Sequence, residues 1–292
     1  MDDKWLELMG PVKDQGTHVV CWALVAAEMV SAIRYLKKYD TVKTEYSLQD
    51  IVDFTNPEKR AQKGGPHYCY PWYVHKGLEY VSRAGIQREE ARPFHRDHCE
   101  KDVPPRNPVR LGYIREAVQL KTIEDALVVL LEHPVAGGIP LFSPEYANIK
   151  DELFQGPTAQ LSTFTGMHAV TIVGANEENG EKYVRVRSSH GKTIGKDGNL
   201  KVSIEIMIVC LTPPDPGFLC FSVAVNARFP PDYDSTVDTV LLVVRQIGYP
   251  EEHVKSWQGN DPCELFGINC QNGVITSITF ISLNMTRFIF PQ

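Results

Sequence analysis

Gln15-Gly-Thr-His-Val-Val-Cys21-Trp22-Ala23 joins a loop to a long helical pattern, and the prediction of the fold starts from this segment. Gln15-Gly16, within residues 11–20, indicates a loop. From Cys21 to about residue 39, apolar residues recur at helical spacing and no Gly or Pro interrupts them. Cys21 is therefore expected at the N-terminus of a helix, where the helix dipole lowers the pKa of a thiol and makes it a better nucleophile.

The pattern changes from helical to strand-like along the chain. Further helices are predicted over residues 47–54, 72–83 and 122–132, the first of them opened by Ser47 with Asp50 three residues later. Alternating or β-branched runs predict strands from residue 135 and over residues 168–174, 183–187 and 199–206. A helical part followed by an antiparallel β part predicts an α+β fold of two lobes with a cleft between them.

Composition excludes several classes of function. The 292 residues are 43% hydrophobic and 23% charged, which is typical of a globular protein with a core. The net charge is −6 and no long basic run occurs, so neither nucleic acid nor an anionic membrane is an expected partner. No run reaches the roughly 18 apolar residues of a membrane span. The start, Met1-Asp-Asp-Lys4, lacks the apolar segment of a signal peptide.

The cysteine count points to a free thiol. Seven cysteines cannot all pair within one chain, and an unpaired cysteine in an enzyme-sized chain is a candidate nucleophile; the alternative is a buried, inert thiol. The segment around Cys21 resembles the active-site loop of papain-like cysteine proteases, and Met167-His168-Ala169-Val170 resembles their histidine strand. His168 follows Cys21 at the separation of roughly 130–150 residues that is usual in that family.

The resemblance covers about residues 4–204 and implies a papain-like fold and a peptide-bond hydrolase. It implies that Cys21 is the nucleophile, that His168 is its acid/base partner and that Gln15 helps to hold the oxyanion. Gly64-Gly65 matches the backbone that pairs with an extended peptide substrate. Peptides or proteins are then the partners, and neither a metal nor an organic cofactor is implied. Family members are typically vacuolar, lysosomal or extracellular.

The chain departs from the family at the residue that orients the histidine. Ser188-Ser189-His190-Gly191 stands where the family has Asn-Ser-Trp-Gly. A serine hydroxyl is shorter than an asparagine side chain, so we expect a bridging water to His168 and activity reduced by roughly 10- to 10³-fold. For His190 a surface position is the favoured interpretation, and the alternative is that it substitutes in some way for the missing family residues.

Two disulfides of the family are also altered. His18 and Gln62 replace both cysteines of one bridge, and Phe54 replaces the partner of Cys99 in another, which predicts an unpaired Cys99. Losing such bridges lowers stability or indicates a compartment where they do not form. His18, Cys21 and Cys69 fit no zinc-site spacing, so no metal site is predicted.

Residues 236–292 resemble the N-terminal cap of the leucine-rich repeats in plant transmembrane receptor-like kinases, through Trp257, Asn260-Asp-Pro-Cys263 and Cys270. That resemblance implies a Cys263–Cys270 disulfide. A helix over residues 236–247 and a strand over residues 274–280 are predicted, and the proline-dense residues 205–235 predict a linker. The predicted domains are thus a protease domain over 1–204, a linker over 205–235 and a cap-like segment over 236–292, which we interpret as a fused remnant.

Three functions follow from these patterns. The first is a cysteine peptidase of reduced activity. The second is a catalytically weak or inactive relative that binds peptides. The third is an interaction fragment of receptor type, carried by residues 236–292.

Overall fold

The structure is a computed structural model that describes residues 5–63, 67–94, 99, 101–108, 110–208, 221–228, 263, 268–272, 274–278 and 288–289. The chain forms two compact units. The first contains residues 1–106 and 112–228, and the second contains residues 107–111 and 229–292. Each is described by itself below.

The first half of the first unit is helical. Its helices are α1 (Cys21–Leu36), α2 (Leu48–Phe54), α3 (Pro57–Lys63) and α4 (Val74–Ala84). The Ser47 side chain accepts a hydrogen bond of 3.0 Å from the Asp50 backbone N–H, which caps α2. α1 ends at Leu36 rather than near residue 39, and α3 is a helix that the periodicity did not predict.

The second half of the first unit is built on one sheet. Its strands are β1 (Tyr113–Leu120), β2 (Val135–Ser143), β3 (Leu153–Phe154), β4 (Thr163–Glu178), β5 (Glu181–Arg187), β6 (Asn199–Ser203) and β7 (Phe221–Arg228). Their order is β1-β7-β2-β4-β5-β6-β3, and all pairs are antiparallel except β3 with β6. Three short helices flank it, namely α5 (Ile123–Val129), α6 (Glu145–Asn148) and α7 (Ile204–Ile208). The predicted α+β fold is confirmed.

The linker prediction over residues 205–235 is wrong in part. Residues 204–208 form α7, and residues 221–228 form β7, which pairs along its whole length with β1. Val223, Ala224 and Ala227 are buried in this strand. Proline density suggested a linker, but the apolar residues between the prolines complete the sheet.

Two hydrophobic cores meet at α1. One surrounds α1, α2 and α4 and includes Trp22, Leu24 and Met29, each at most 2% exposed. The other lies under the sheet and includes Val170 of β4, yet it also takes in Ala32 of α1. α1 is therefore the shared wall between the helical and the β parts of this unit.

A buried ion pair fastens α1 to the sheet. Glu28 accepts a hydrogen bond of 2.9 Å from Arg187 Nε of β5 and one of 2.7 Å from Thr171 Oγ1 of β4. Arg187 also donates to the Gly10 carbonyl at 2.7 Å, which ties down the segment before α1. The Arg187 and Glu28 side chains are only 5% and 11% exposed, so the charges are mutually compensated away from water.

The cysteines of the helical part pair differently from the prediction. Cys99 is not left unpaired, because it forms a disulfide with Cys69, and both are buried. Phe54 stands where the family has the cysteine that pairs with the equivalent of Cys99. In this chain Cys69, which lies 30 residues before Cys99, is the partner instead. Only the fold brings those two residues to a Cα separation of 5.4 Å.

The second unit contains a small antiparallel sheet. Its strands are β8 (Ile268–Gln271), β9 (Val274–Ile278) and β10 (Phe288–Ile289), in the order β10-β9-β8. A disulfide joins Cys263 to Cys270 across a Cα separation of 5.5 Å. The helix predicted over residues 236–247 lies outside the described residues. Among the helices that the structure describes, none has the length and apolar character needed to span a bilayer.

We expect Glu28→Ala to lower the free energy of unfolding by about 3–5 kcal/mol, because it leaves Arg187 buried without its charge partner. Urea denaturation measures the change. Glu79→Ala is the matched control, since Glu79 pairs with Lys76 on an exposed face of α4. Its loss should stay below about 1 kcal/mol. Similar losses in both variants would contradict a special role for Glu28.

Candidate active site

Cys21 is the first residue of α1, and Val20 is the N-cap. It is the free cysteine among those that the structure describes, and its side chain is partly buried. Burial raises the pKa of the Cys21 thiol above its ordinary value of 9.0, while hydrogen bonds from the Ala169 and Trp22 backbones act in the opposite direction. Ala169, which follows His168 on the chain, therefore lies beside the Cys21 thiol.

A cavity of about 380 Å³ opens beside this thiol. Gln15, Cys21, Trp72, Met167, His168 and His190 are among the residues that line it. The loop before α1 supplies one wall and β4 supplies the facing wall, so the cavity lies between the helical and the β parts of the first unit. An extended substrate would reach the thiol and the histidine from this space.

His168 projects from β4, where it stands opposite Ile139 of β2. Its side chain is 3% exposed, and its Nε2 lies 3.4 Å from Ser188 Oγ. Burial and the neighbouring His190 lower the pKa of His168 well below its ordinary value of 6.5. At neutral pH the ring is therefore uncharged and able to accept a proton.

Ser188 reaches His168 directly, and not through a bridging water as the sequence predicted. The hydroxyl of Tyr146, from α6, lies 2.6 Å from Ser188 Oγ and 2.8 Å from Nδ1 of His190. The His190 ring stacks on the His168 ring, with centroids 4.2 Å apart and planes inclined by 15°. The prediction of a surface position for His190 is thus wrong, because the segment after β5 places its ring over that of His168.

Tyr146 is the residue that sequence reasoning missed. It is 8% exposed and 42 residues away from Ser188 along the chain. No motif surrounds it, and a lone tyrosine in a short helix carries no signal of a site. Only the tertiary fold, in which α6 packs against β2, brings its hydroxyl to Ser188.

Gln15 is held rigidly at the edge of the cavity. Its Oε1 accepts a hydrogen bond of 2.5 Å from Ser189 Oγ, and its Nε2 donates to the His18 carbonyl at 2.5 Å. Its backbone N–H donates to the Ser189 carbonyl at 2.8 Å. A carboxamide nitrogen carries two hydrogens, so one remains to donate into the cavity.

The structure thus brings Cys21, His168 and Gln15 to one cavity, with Ser188 directly behind His168. The predicted substrate-binding residues Gly64 and Gly65 lie outside the described residues. His18 packs edge-to-face on His67, with centroids 4.8 Å apart. Within the described ranges, no group of three or more His, Cys, Asp or Glu side chains is arranged to hold a metal ion.

Known proteins resemble this chain in two separate ways. Cathepsin S of Mus musculus is 28% identical over 198 residues, which are 66% of this chain and 54% of cathepsin S. Receptor-like protein 5 of Arabidopsis thaliana is 47% identical over 80 residues, which are 25% of this chain and 30% of that protein. The latter match agrees with the resemblance of residues 236–292 to plant receptors. The chain spans about half the length of the proteases it matches.

The solved structure of the bromelain protease from Ananas comosus has the same fold. Its TM-score is 0.54 at 20% identity, and the superposition covers 77% of this chain and 98% of bromelain. The family described as papain family cysteine protease matches residues 2–212, which is well over half of the chain. The chain therefore belongs to the papain family of cysteine proteases.

Proposed function

We propose that this protein is a cysteine-type endopeptidase in which Cys21 is the nucleophile and His168 is the acid/base. The observation that carries the proposal is the shared cavity, with Cys21 at the start of α1 on one side and His168 on β4 on the other. Peptides or proteins are the proposed substrates. Gly64-Gly65 remains the predicted backbone partner of an extended peptide.

The proposed reaction uses residues of this chain alone. Sγ of Cys21 forms a bond to the scissile carbonyl carbon while its proton passes to His168, and the carbonyl electrons move onto oxygen. The second N–H of Gln15 Nε2 and the Cys21 backbone N–H donate to this oxyanion. When the C–N bond breaks, His168 gives the proton to the leaving amine and a thioester remains. Water then attacks the thioester and passes a proton to His168. As the C–S bond breaks and the acid product is released, His168 returns that proton to Cys21, which leaves as the thiol.

Before substrate binds, the surroundings of Cys21 and His168 favour the uncharged form of both side chains. The pKa of Cys21 is raised and that of His168 is lowered, each mainly by burial. A thiol and an uncharged imidazole therefore face the cavity at neutral pH, and the proton moves only as the substrate is attacked. This arrangement makes a weaker nucleophile than a preformed thiolate, which supports the expectation of reduced activity.

An inactive peptide-binding relative is the second candidate function. The neutral pair and the long contact of 3.4 Å between Ser188 and His168 favour it. In that case the cavity binds peptides without cleaving them.

Thiol labelling decides between the two functions. We expect a biotinylated epoxide that alkylates active-site thiols to label the purified protein, and the label to vanish in Cys21→Ala. His168→Ala should label at least about 10-fold more slowly, because the base is lost. Circular dichroism controls for folding. A folded wild-type protein that takes no label and cleaves no peptide supports the inactive relative.

The pH dependence tests the neutral pair. Since the folded-state pKa of Cys21 lies above 9.0, we expect alkylation by iodoacetamide to rise with pH only through the alkaline range, above pH 9. Peptide hydrolysis needs uncharged His168, so its acid limb should lie below pH 6.5. Stopped alkylation time courses and pH–rate profiles measure both. A plateau of rapid alkylation near pH 6 would show a preformed thiolate instead.

Removing the oxyanion donor tests the role of Gln15. We expect Gln15→Ala to lower kcat by about 10²–10³-fold with a small change in KM, because the donor acts on charge that develops in the transition state. Gln155→Ala is the matched control, since Gln155 is an exposed glutamine that bonds Glu181 on the surface. Equal kcat in wild type and Gln15→Ala would remove Gln15 from the mechanism.

A further inference from the structure

We propose that Tyr146 is a positioning residue, and that its hydroxyl, acting through Ser188, does the work that an orienting asparagine does elsewhere in the family. The inference rests on the proposed function of His168 as acid/base. It is carried by a chain of contacts that runs from His168 Nε2 to Ser188 Oγ at 3.4 Å, to the Tyr146 hydroxyl at 2.6 Å and to His190 Nδ1 at 2.8 Å.

One arrangement of the hydrogens along this chain fits the proposed role of His168 as acid/base. His168 needs a free Nδ1 to take the proton of Cys21, so its Nε2 carries the hydrogen and donates to Ser188 Oγ. Ser188 Oγ also lies 3.3 Å from the His190 backbone N–H, which donates to it. With two donors already directed at Ser188 Oγ, the Ser188 hydrogen points to the Tyr146 oxygen. The Tyr146 hydrogen then points to Nδ1 of His190.

This arrangement explains how a serine can orient the ring. A serine hydroxyl alone rotates freely, and at 3.4 Å it holds His168 weakly. The shorter contact of 2.6 Å to Tyr146 fixes the rotation of the hydroxyl, so that its lone pair faces Nε2. In this arrangement the hydrogen of the His168 ring lies on Nε2, which leaves Nδ1 free to take the proton of Cys21.

Burial makes the chain effective. Tyr146, Ser188 and His168 are 8%, 2% and 3% exposed, so water competes little for their hydrogen bonds. The His190 ring covers one face of His168. Burial also raises the pKa of Tyr146 to about 12, so its hydroxyl keeps the hydrogen that it donates throughout the neutral range. The protonated hydroxyl of Tyr146 can thus keep its contacts with Ser188 and His190 throughout this range.

The Tyr146 ring has a separate packing role, which allows a clean test of the hydroxyl. The ring packs edge-to-face against Phe154, with centroids 6.1 Å apart. Tyr146→Phe keeps that contact and removes one oxygen. Tyr183→Phe is the matched control, since Tyr183 is a buried tyrosine of β5 outside the cavity lining.

We expect Tyr146→Phe to lower kcat by about 10- to 10²-fold, with KM within about twofold of wild type, because the base is misoriented and substrate contacts stay. Ser188→Ala should act similarly, and the double variant Tyr146→Phe/Ser188→Ala should be no worse than Ser188→Ala alone. Tyr146→Phe/Ser188→Asn should recover most of the activity, because the longer amide occupies the space of the lost hydroxyl. Additive losses, or no rescue by asparagine, would overturn the proposal.

A spectroscopic readout separates this proposal from the proposed function. In protein labelled with ¹⁵N-histidine, the His168 nitrogen shifts should report hydrogen on Nε2 in wild type and a mixture of tautomers in Tyr146→Phe. This measurement does not need catalysis. A wild-type protein that is inactive but shows the tautomer change retains the positioning role and loses the peptidase function. Unchanged His168 shifts in Tyr146→Phe would end the positioning role even in an active enzyme.

Discussion

The site depends on the buried contact of Glu28 with Thr171 and Arg187, because this contact sets α1 against the sheet. Glu28 lies about two helical turns after Cys21, and Thr171 follows His168 on the same strand by three residues. A carboxylate held by both strands thus fixes the height and rotation of the helix that begins at Cys21. Separating two charges that are buried away from water is costly. The Glu28–Arg187 pair therefore holds α1 in one position against β4 and β5.

The residues next to His168 differ from the family pattern. The family's asparagine and tryptophan are replaced by Ser188 and His190, which at first suggests a dismantled site. The structure shows Ser188 in hydrogen-bond contact with Tyr146, and the His190 ring stacked on that of His168. Burial nevertheless moves the pKa values of Cys21 and His168 away from those of an ion pair. Hydrogen bonds and stacking therefore hold the His168 ring in place. At neutral pH, however, Cys21 and His168 are both uncharged and do not form a thiolate–imidazolium pair.

The sequence predicted well wherever local pattern or motif carried the information. The helix at Cys21, the cap at Ser47 and the strand at His168 follow from periodicity and hydrogen bonding within a few residues. It failed where a distant partner decided the outcome. The prolines of residues 205–235 indicated a linker, but residues 221–228 form a strand that pairs with β1, more than 90 residues earlier in the chain. Cys99 looked unpaired, since its partner Cys69 is not where the family places it.

Short segments and their separation along the chain were enough to predict the family, the two-lobe α+β fold and the candidate roles of Cys21, His168 and Gln15. The contacts that hold His168 could not be predicted in this way. Tyr146, Ser188 and His190 come from a short helix and the turn after a strand, and nothing in their neighbours along the chain connects them. Hydrogen bonds act over about 3 Å in space, whatever the separation in sequence, so a contact between such residues exists only once the chain has folded.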